Sequence, residues 1–243
     1  MIILGSGLYD LYKVNNSRRL EISTKYGVAT VSEIKEKGLA RTLVMLRHGT
    51  NHAVPPHLIN YRANIQAAKD LGVDFIIATA SVGAINPKLS IGEYVIIDQF
   101  LDFTRHRDFT FYTDSKKGFK HTDMTQPYSE CVRKALIKSI RSQKGQKFNA
   151  RGTYVCTEGP RFETLAEIEM YRRAGGDVVG MTGVPEVVLA KELGIEYGTL
   201  AQVSNMAAGL QAKITQSEVE DVAQKSLVRT KSIINLALED LAN

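Results

Sequence analysis

Short apolar runs that stop abruptly at small or polar residues, each followed by a stretch of helical periodicity, recur along this chain, and that alternation most limits what it can fold into. Residues 1–4 end in Gly5-Ser6-Gly7, 42–46 in Arg47-His48-Gly49, and 74–80 in Ser81-Val82-Gly83-Ala84. Residues 93–98, 152–156, 178–179 and 197–203 have the same strand character. Between them, Pro55-Pro56 opens a helix with Leu58, Tyr61, Ile65 and Ala68 at helical spacing, stopping near Gly72. Residues 127–142 read as a second helix, and Thr164 with Glu167 has capping-box spacing ahead of a third, to about residue 174. Pro185 suits a first helical turn, and a closing helix over about 216–241 places Val219, Val222, Ala223, Leu227 and Ile234 on one side. Repeated β–loop–α units form a largely parallel or mixed sheet covered by helices, with ligands at the strand ends. Residues 101–127 alone are polar and aperiodic, and so long a loop in a compact domain is functional or disordered.

With 243 residues, 44% hydrophobic and 23% charged, the chain can bury a substantial core. Nothing resembling a linker or repeat divides it, so residues 1–243 are expected to form one α/β domain. The net charge of +5 favours anionic ligands in general. Its basic clusters, such as Lys116-Lys117-Gly118-Phe119-Lys120, lack the interleaved aromatics of a single-stranded nucleic-acid platform and read as solvated loops. Two cysteines, Cys131 and Cys156, are too few for a disulfide framework. With no apolar run of membrane-spanning length and no signal-like start, a cytoplasmic protein is expected, with neither a membrane nor a nucleic acid as partner.

Several loops carry chemistry, each beside a plainer reading. Gly5-Ser6-Gly7 suits a phosphate-cradling turn or a simple tight turn; Asp10 stands where a dinucleotide fingerprint needs its third glycine. Arg47-His48-Gly49-Thr50-Asn51-His52 offers a guanidinium fork and imidazoles to an anion, or is a surface loop. His48 and His52 are four apart, but Gly49 and Thr50 make a helix poor there and no glutamate lies between, so a metal site is disfavoured. Ser81, at a strand–loop turn, lacks the first glycine of a nucleophile elbow. Cys156 lies in an apolar strand and reads as core. Glu158, Arg161 and Glu163 either decorate a helix N-terminus or present a carboxylate to a ligand. Asn205, at a strand end, either closes a turn or offers a donor and an acceptor to a purine edge.

In register, five segments resemble the trimeric purine nucleoside phosphorylase and methylthioadenosine phosphorylase family. They are Gly5-Ser6-Gly7-Leu8-Tyr9-Asp10, Arg47-His48-Gly49, Asn60-Tyr61-Arg62-Ala63-Asn64, Glu158-Gly159-Pro160-Arg161-Phe162-Glu163-Thr164 and Gly180-Met181-Thr182-Gly183-Val184-Pro185-Glu186. The resemblance implies a mixed, partly barrel-like sheet flanked by helices. It implies a phosphate site from Ser6, Arg47, His48, Ser81 and Thr182, and a sugar beside His52 and Met181. The purine would lie on Phe162, with Glu163 and Asn205 at its edge. His121 would serve a neighbouring subunit's sugar site in a homotrimer or a dimer of trimers. Phosphate would be a co-substrate, with no metal or other cofactor.

Relatives that cleave 6-aminopurines carry serine at the position of Glu163 and aspartate at that of Asn205, so this pair resembles the 6-oxopurine version. Glu163 accepts from N1–H, which hypoxanthine and guanine have and adenine lacks, and Asn205 donates to O6 or N7; a mismatch leaves buried polar groups unpaired at about 1–3 kcal/mol each. Gln216 stands at the 5′ position, where a hydroxyl or a methylthio group fits, and the surroundings of Asn205 resemble methylthioinosine enzymes most. Expected is phosphorolysis of inosine, guanosine or 5′-methylthioinosine, with Asn205, His48 and Glu163 as catalytic groups. The rivals are a 5′-methylthioadenosine phosphorylase and a non-catalytic nucleoside-binding protein.

Overall fold

The computed structural model describes residues 1–14, 17–36, 39, 41–114, 116 and 118–242, without the side chain of Gln216. β1 (Ile2–Leu4) leads through a 3-10 turn at Tyr9–Tyr12 to a hairpin, β2 (Arg18–Thr24) and β3 (Gly27–Ile34), then to β4 (Thr42–Leu46) and α1 (Tyr61–Asp70). There follow β5 (Phe75–Ala84), β6 (Tyr94–Ile96), β7 (Gln99–Phe103), α2 (Glu130–Arg141), β8 (Phe148–Asn149) and β9 (Thr153–Thr157). The chain closes with α3 (Leu165–Arg173), β10 (Val178–Gly180), α4 (Gly183–Glu192), β11 (Glu196–Met206) and α5 (Gln216–Ala242). Among the described residues no helix is long and apolar enough to cross a membrane.

Eleven strands among the described residues form one mixed sheet, and β5 is its hub. The first half of β5 pairs with β1 in parallel (Ile77 with Ile2), its last residues pair with β10 antiparallel (Gly83 with Val179), and β11 runs parallel along its whole length. Only Ile97 and Asp98 separate β6 from β7, yet β6 pairs with β11 and β7 with β9. The bent run 94–103 therefore joins two edges and closes β5, β11, β6–β7, β9 and β10 into the barrel-like part of the sheet. One apolar core, with Ile65, Ala68 and Val187, lies under α1 and α4; a second, with Val132, Leu136, Ala223 and Ile234, lies under α2 and α5.

Several boundaries differ from the sequence expectation, each for a local reason. The helix expected from Pro55 begins at Tyr61, because Ile59 is extended and the Asn60 side chain caps by accepting from Ala63 N–H; Leu58 faces solvent. The 18–34 hairpin was not expected, and β7 occupies the start of the stretch read as loop. Residues 115 and 117 of that stretch lie outside the described residues. β5 continues through Ser81 to Ala84, so Ser81 sits within a strand rather than at a turn. β11 likewise runs past Val203 to Met206. The capping box at Thr164 and Glu167 forms as its spacing indicates.

Candidate active site

The C-terminal end of β1, the loop after β4, the inner part of β5, the loop after β9, the β10–α4 junction and the end of β11 surround one cavity of about 430 Å³. That is within the ordinary range for a small-molecule site. Its geometry begins at Gly5. A Cβ there would lie 2.8 Å from the Thr79 carbonyl oxygen and 3.0 Å from Arg47 Nη1, so only glycine lets β1 end this close to them.

Arg47 is buried and held on three sides. Nε and Nη2 donate to Glu186 Oε2 and Oε1 at 2.8 and 2.7 Å, and Nη1 donates to Thr79 O at 2.8 Å. Tyr197 Oη also donates to Glu186 Oε1, at 2.6 Å. Burial opposes the guanidinium charge, but the Glu186 carboxylate more than offsets that and holds Arg47 protonated. Among the described residues three of its five N–H donors are committed, which leaves two for a ligand in the cavity Arg47 lines. Ser6, Ser81 and Thr182 line the same end, and Ser81 Oγ donates to Ser6 O at 3.1 Å. Thr182 stands just before α4, ahead of an extended Val184, and its N–H donates to Tyr154 Oη at 3.2 Å.

The two histidines are stacked, ring centroids 4.3 Å apart. His48 Nδ1 lies 2.9 Å from the Val54 carbonyl oxygen, an acceptor only, so Nδ1 carries the proton. Burial first, then the charge of Arg47, pushes the His48 pKa down to about 4, so the ring is neutral at pH 7 with Nε2 as an acceptor. Tyr9 Oη lies 2.5 Å from His52 Nδ1; burial pushes the Tyr9 phenol upward, so it keeps its proton and donates. Burial also lowers the His52 pKa, partly countered by Glu220. Asn51 and His52 both hold left-handed backbone conformations, a form of strain that clusters at functional sites.

Phe162, Glu163 and Asn205 line the same cavity. Between Val203, opposite Val82, and Asn205, opposite Gly83, β11 inserts Ser204 as a bulge, which re-aims the following side chain. Ser204 Oγ donates to Asn205 Oδ1 at 2.8 Å, and Asn205 Nδ2 donates to Met206 O at 2.9 Å, so the amide is oriented and one N–H remains. Glu163 Oε1 accepts from Thr157 Oγ1 at 2.7 Å, and burial raises the Glu163 pKa. Met181 and His52 also line the cavity, as do Ile214, Val219 and Glu220.

Ten of the residues singled out in the sequence thus meet at one cavity. His121 does not: it is exposed and meets Phe119 edge-on at 5.0 Å. Gln216 opens α5, and its side chain lies outside the described residues. Within the Glu158–Arg161–Glu163 cluster only Glu163 lines this cavity. Glu158 accepts from Arg105 N at 2.6 Å and pairs with Arg107, while Arg161 pairs with Glu167 at 2.7 Å. Sequence reasoning assigned no role to Glu186, Ser204, Thr157 or Tyr9; Tyr9 and Glu186 stand in quoted segments, and that was the signal available for them.

A family model described as the phosphorylase superfamily matches residues 1–239. The 6-oxopurine nucleoside phosphorylase of Pyrococcus furiosus is 47% identical over 243 residues, spanning 98% of this chain and 89% of that protein. A probable S-methyl-5'-thioinosine phosphorylase of Methanothermobacter thermautotrophicus is 44% identical, spanning 99% of this chain and 83% of that protein. Among solved structures, the methylthioadenosine phosphorylase from Schistosoma mansoni in complex with adenine superposes with a TM-score of 0.90 at 32% identity, over 99% of this chain and 91% of that one. The chain belongs to the phosphorylase superfamily.

Proposed function

We propose that the protein cleaves a 6-oxopurine nucleoside with inorganic phosphate, giving the free base and a sugar 1-phosphate. The observation that carries this reading is the pairing of Glu163 with an oriented Asn205 at one end of a cavity whose other end holds Arg47. Glu163 accepts from purine N1–H, and the remaining Asn205 N–H donates to N7 or O6. Phosphate sits between Ser6, Ser81, Thr182 and the two open donors of Arg47; neutral His48 accepts from its hydroxyl. The sugar lies by His52 and Met181. As the glycosidic bond lengthens, Asn205 stabilises charge growing on the purine, and phosphate stabilises the cationic sugar before attacking C1′. Positioning and electrostatics supply the catalysis, with phosphate as co-substrate and no metal or other cofactor in the derived steps.

Asn205→Ala should lower kcat by about 10²–10³-fold while leaving phosphate affinity nearly unchanged, read from initial rates and phosphate titration; equal turnover refutes the assignment. The relatives' names include both a 6-oxopurine nucleoside phosphorylase and an S-methyl-5'-thioinosine phosphorylase, so nucleosides with and without the methylthio group belong in every assay. Adenine bound to the Schistosoma mansoni relative favours a second reading, a methylthioadenosine phosphorylase.

The assembly proposed is a homotrimer in which His121 reaches a neighbour's sugar. His121→Ala and Asn205→Ala chains should each have low activity alone, and co-refolded mixtures should recover part of it. Mixtures no more active than the separate variants would remove His121 from the site.

A further inference from the structure

Glu163 borders two cavities. One is the nucleoside cavity; the other, of about 440 Å³, shares Glu163 with it and is lined by Thr157, Glu158, Arg161 and Glu167 among others. Of these two, Thr157 lines the second and not the first. It ends β9, is buried, and meets the Glu163 carboxyl as part of the lining of the second cavity. Its hydroxyl has one hydrogen. The Glu163 Oε1 contact is 2.7 Å and the alternative acceptor, Gly180 O, is at 3.4 Å, so the hydrogen goes to the carboxylate.

We infer that Thr157 is a positioning residue for base choice: by donating to Oε1 it fixes the Glu163 carboxyl and turns Oε2 to the purine as an acceptor for N1–H. This rests on the base reading proposed above and adds to it a residue that never touches the substrate. A carboxyl held only at its stem can rotate and carry a proton, and a protonated carboxyl donates to the N1 of a 6-aminopurine. A donor fixed on one oxygen stabilises the ionised, accepting form. The setting otherwise works against ionisation, since burial and then Glu167 raise the Glu163 pKa, opposed by Thr157, its own backbone N–H and Arg161. Across the second cavity Arg105, His106 and Glu158 complete the charged surroundings, and β10 adds only the Gly180 carbonyl.

The test compares wild type, Thr157→Val, Thr157→Ser and Glu163→Gln on inosine and adenosine with saturating phosphate, across pH, with Tm for each. Thr157→Val should move the acid limb of kcat/KM for inosine to higher pH. It should raise the inosine KM more than it lowers kcat, and cut the inosine-over-adenosine preference by about 10-fold, as expected for one lost hydrogen bond to a charged group. Thr157→Ser should restore all three. If Thr157→Val does not fold, Thr157→Ala is read in the same way. A lowered Tm with limb and preference unmoved makes Thr157 merely structural and overturns the inference. Glu163→Gln separates the two claims: if it abolishes the limb and narrows the preference while Thr157→Val does neither, only the inference fails. If Glu163→Gln also leaves both in place, the base reading itself fails.

Discussion

His48 shows how one side chain's surroundings decide what it can do. With Nδ1 committed to the Val54 carbonyl and its pKa lowered to about 4, it offers the cavity an acceptor at Nε2, where the bare sequence invites a donor. The same shift ties stability to pH. Between about 4 and the ordinary 6.5 the unfolded chain binds a proton that the folded His48 refuses. Stability from this residue is therefore complete above pH 6.5 and is lost as pH falls toward 4, by about 3 kcal/mol in all. Urea unfolding of wild type and His48→Asn between pH 4 and 7.5 should show the wild-type slope reduced by that amount in the variant; parallel slopes would deny the shift. At this scale the sequence was readable where neighbours in space are neighbours in the chain, as with Arg47 and His48. Glu186 was not readable, because its partner Arg47 lies 139 positions away. Nor was Ser204, whose effect on Asn205 depends on a bulge in the pairing with β5.

At the scale of elements, the turn after β1 serves packing as much as binding. Gly7 holds a φ of 76°, and a Cβ there would lie 2.5 Å from Ala223 Cβ on α5. That helix also supplies Val219 and Glu220 to the cavity. Gly7→Ala combines a left-handed backbone with overpacking and should cost roughly 2–4 kcal/mol. It should also displace α5 enough to raise the nucleoside KM, measured by thermal unfolding and steady-state kinetics; a wild-type Tm would show that the turn relaxes freely. Elements with strong local signals were legible, such as α3 with its capping box and α5 with its apolar side. The β2–β3 hairpin was not, since Arg18, Arg19 and Glu21 leave its first strand half polar and one face solvated. β7 was hidden for a similar reason: Gln99 and Asp102 give it the look of the loop that follows.

For the whole molecule, the closure of the sheet brings the two ends of the site together. β5 carries Ser81 and Gly83, β11 carries Asn205, and β9 and β10 deliver Glu163 and Met181 through the loops that follow them. The α/β class followed from alternation alone, whereas the barrel-like closure was foreseen only through the family resemblance, because β6 and β7 find partners on opposite edges although two residues apart. The central claim is that the enclosed cavity splits 6-oxopurine nucleosides with phosphate. The most direct test is base release by the purified protein from inosine, 5′-methylthioinosine, adenosine and 5′-methylthioadenosine, each with and without phosphate. The expected result is hypoxanthine release that requires phosphate, with the better inosine defining the sugar. Faster adenine release would contradict the roles given to Glu163 and Asn205, and equal release without phosphate would contradict phosphorolysis itself.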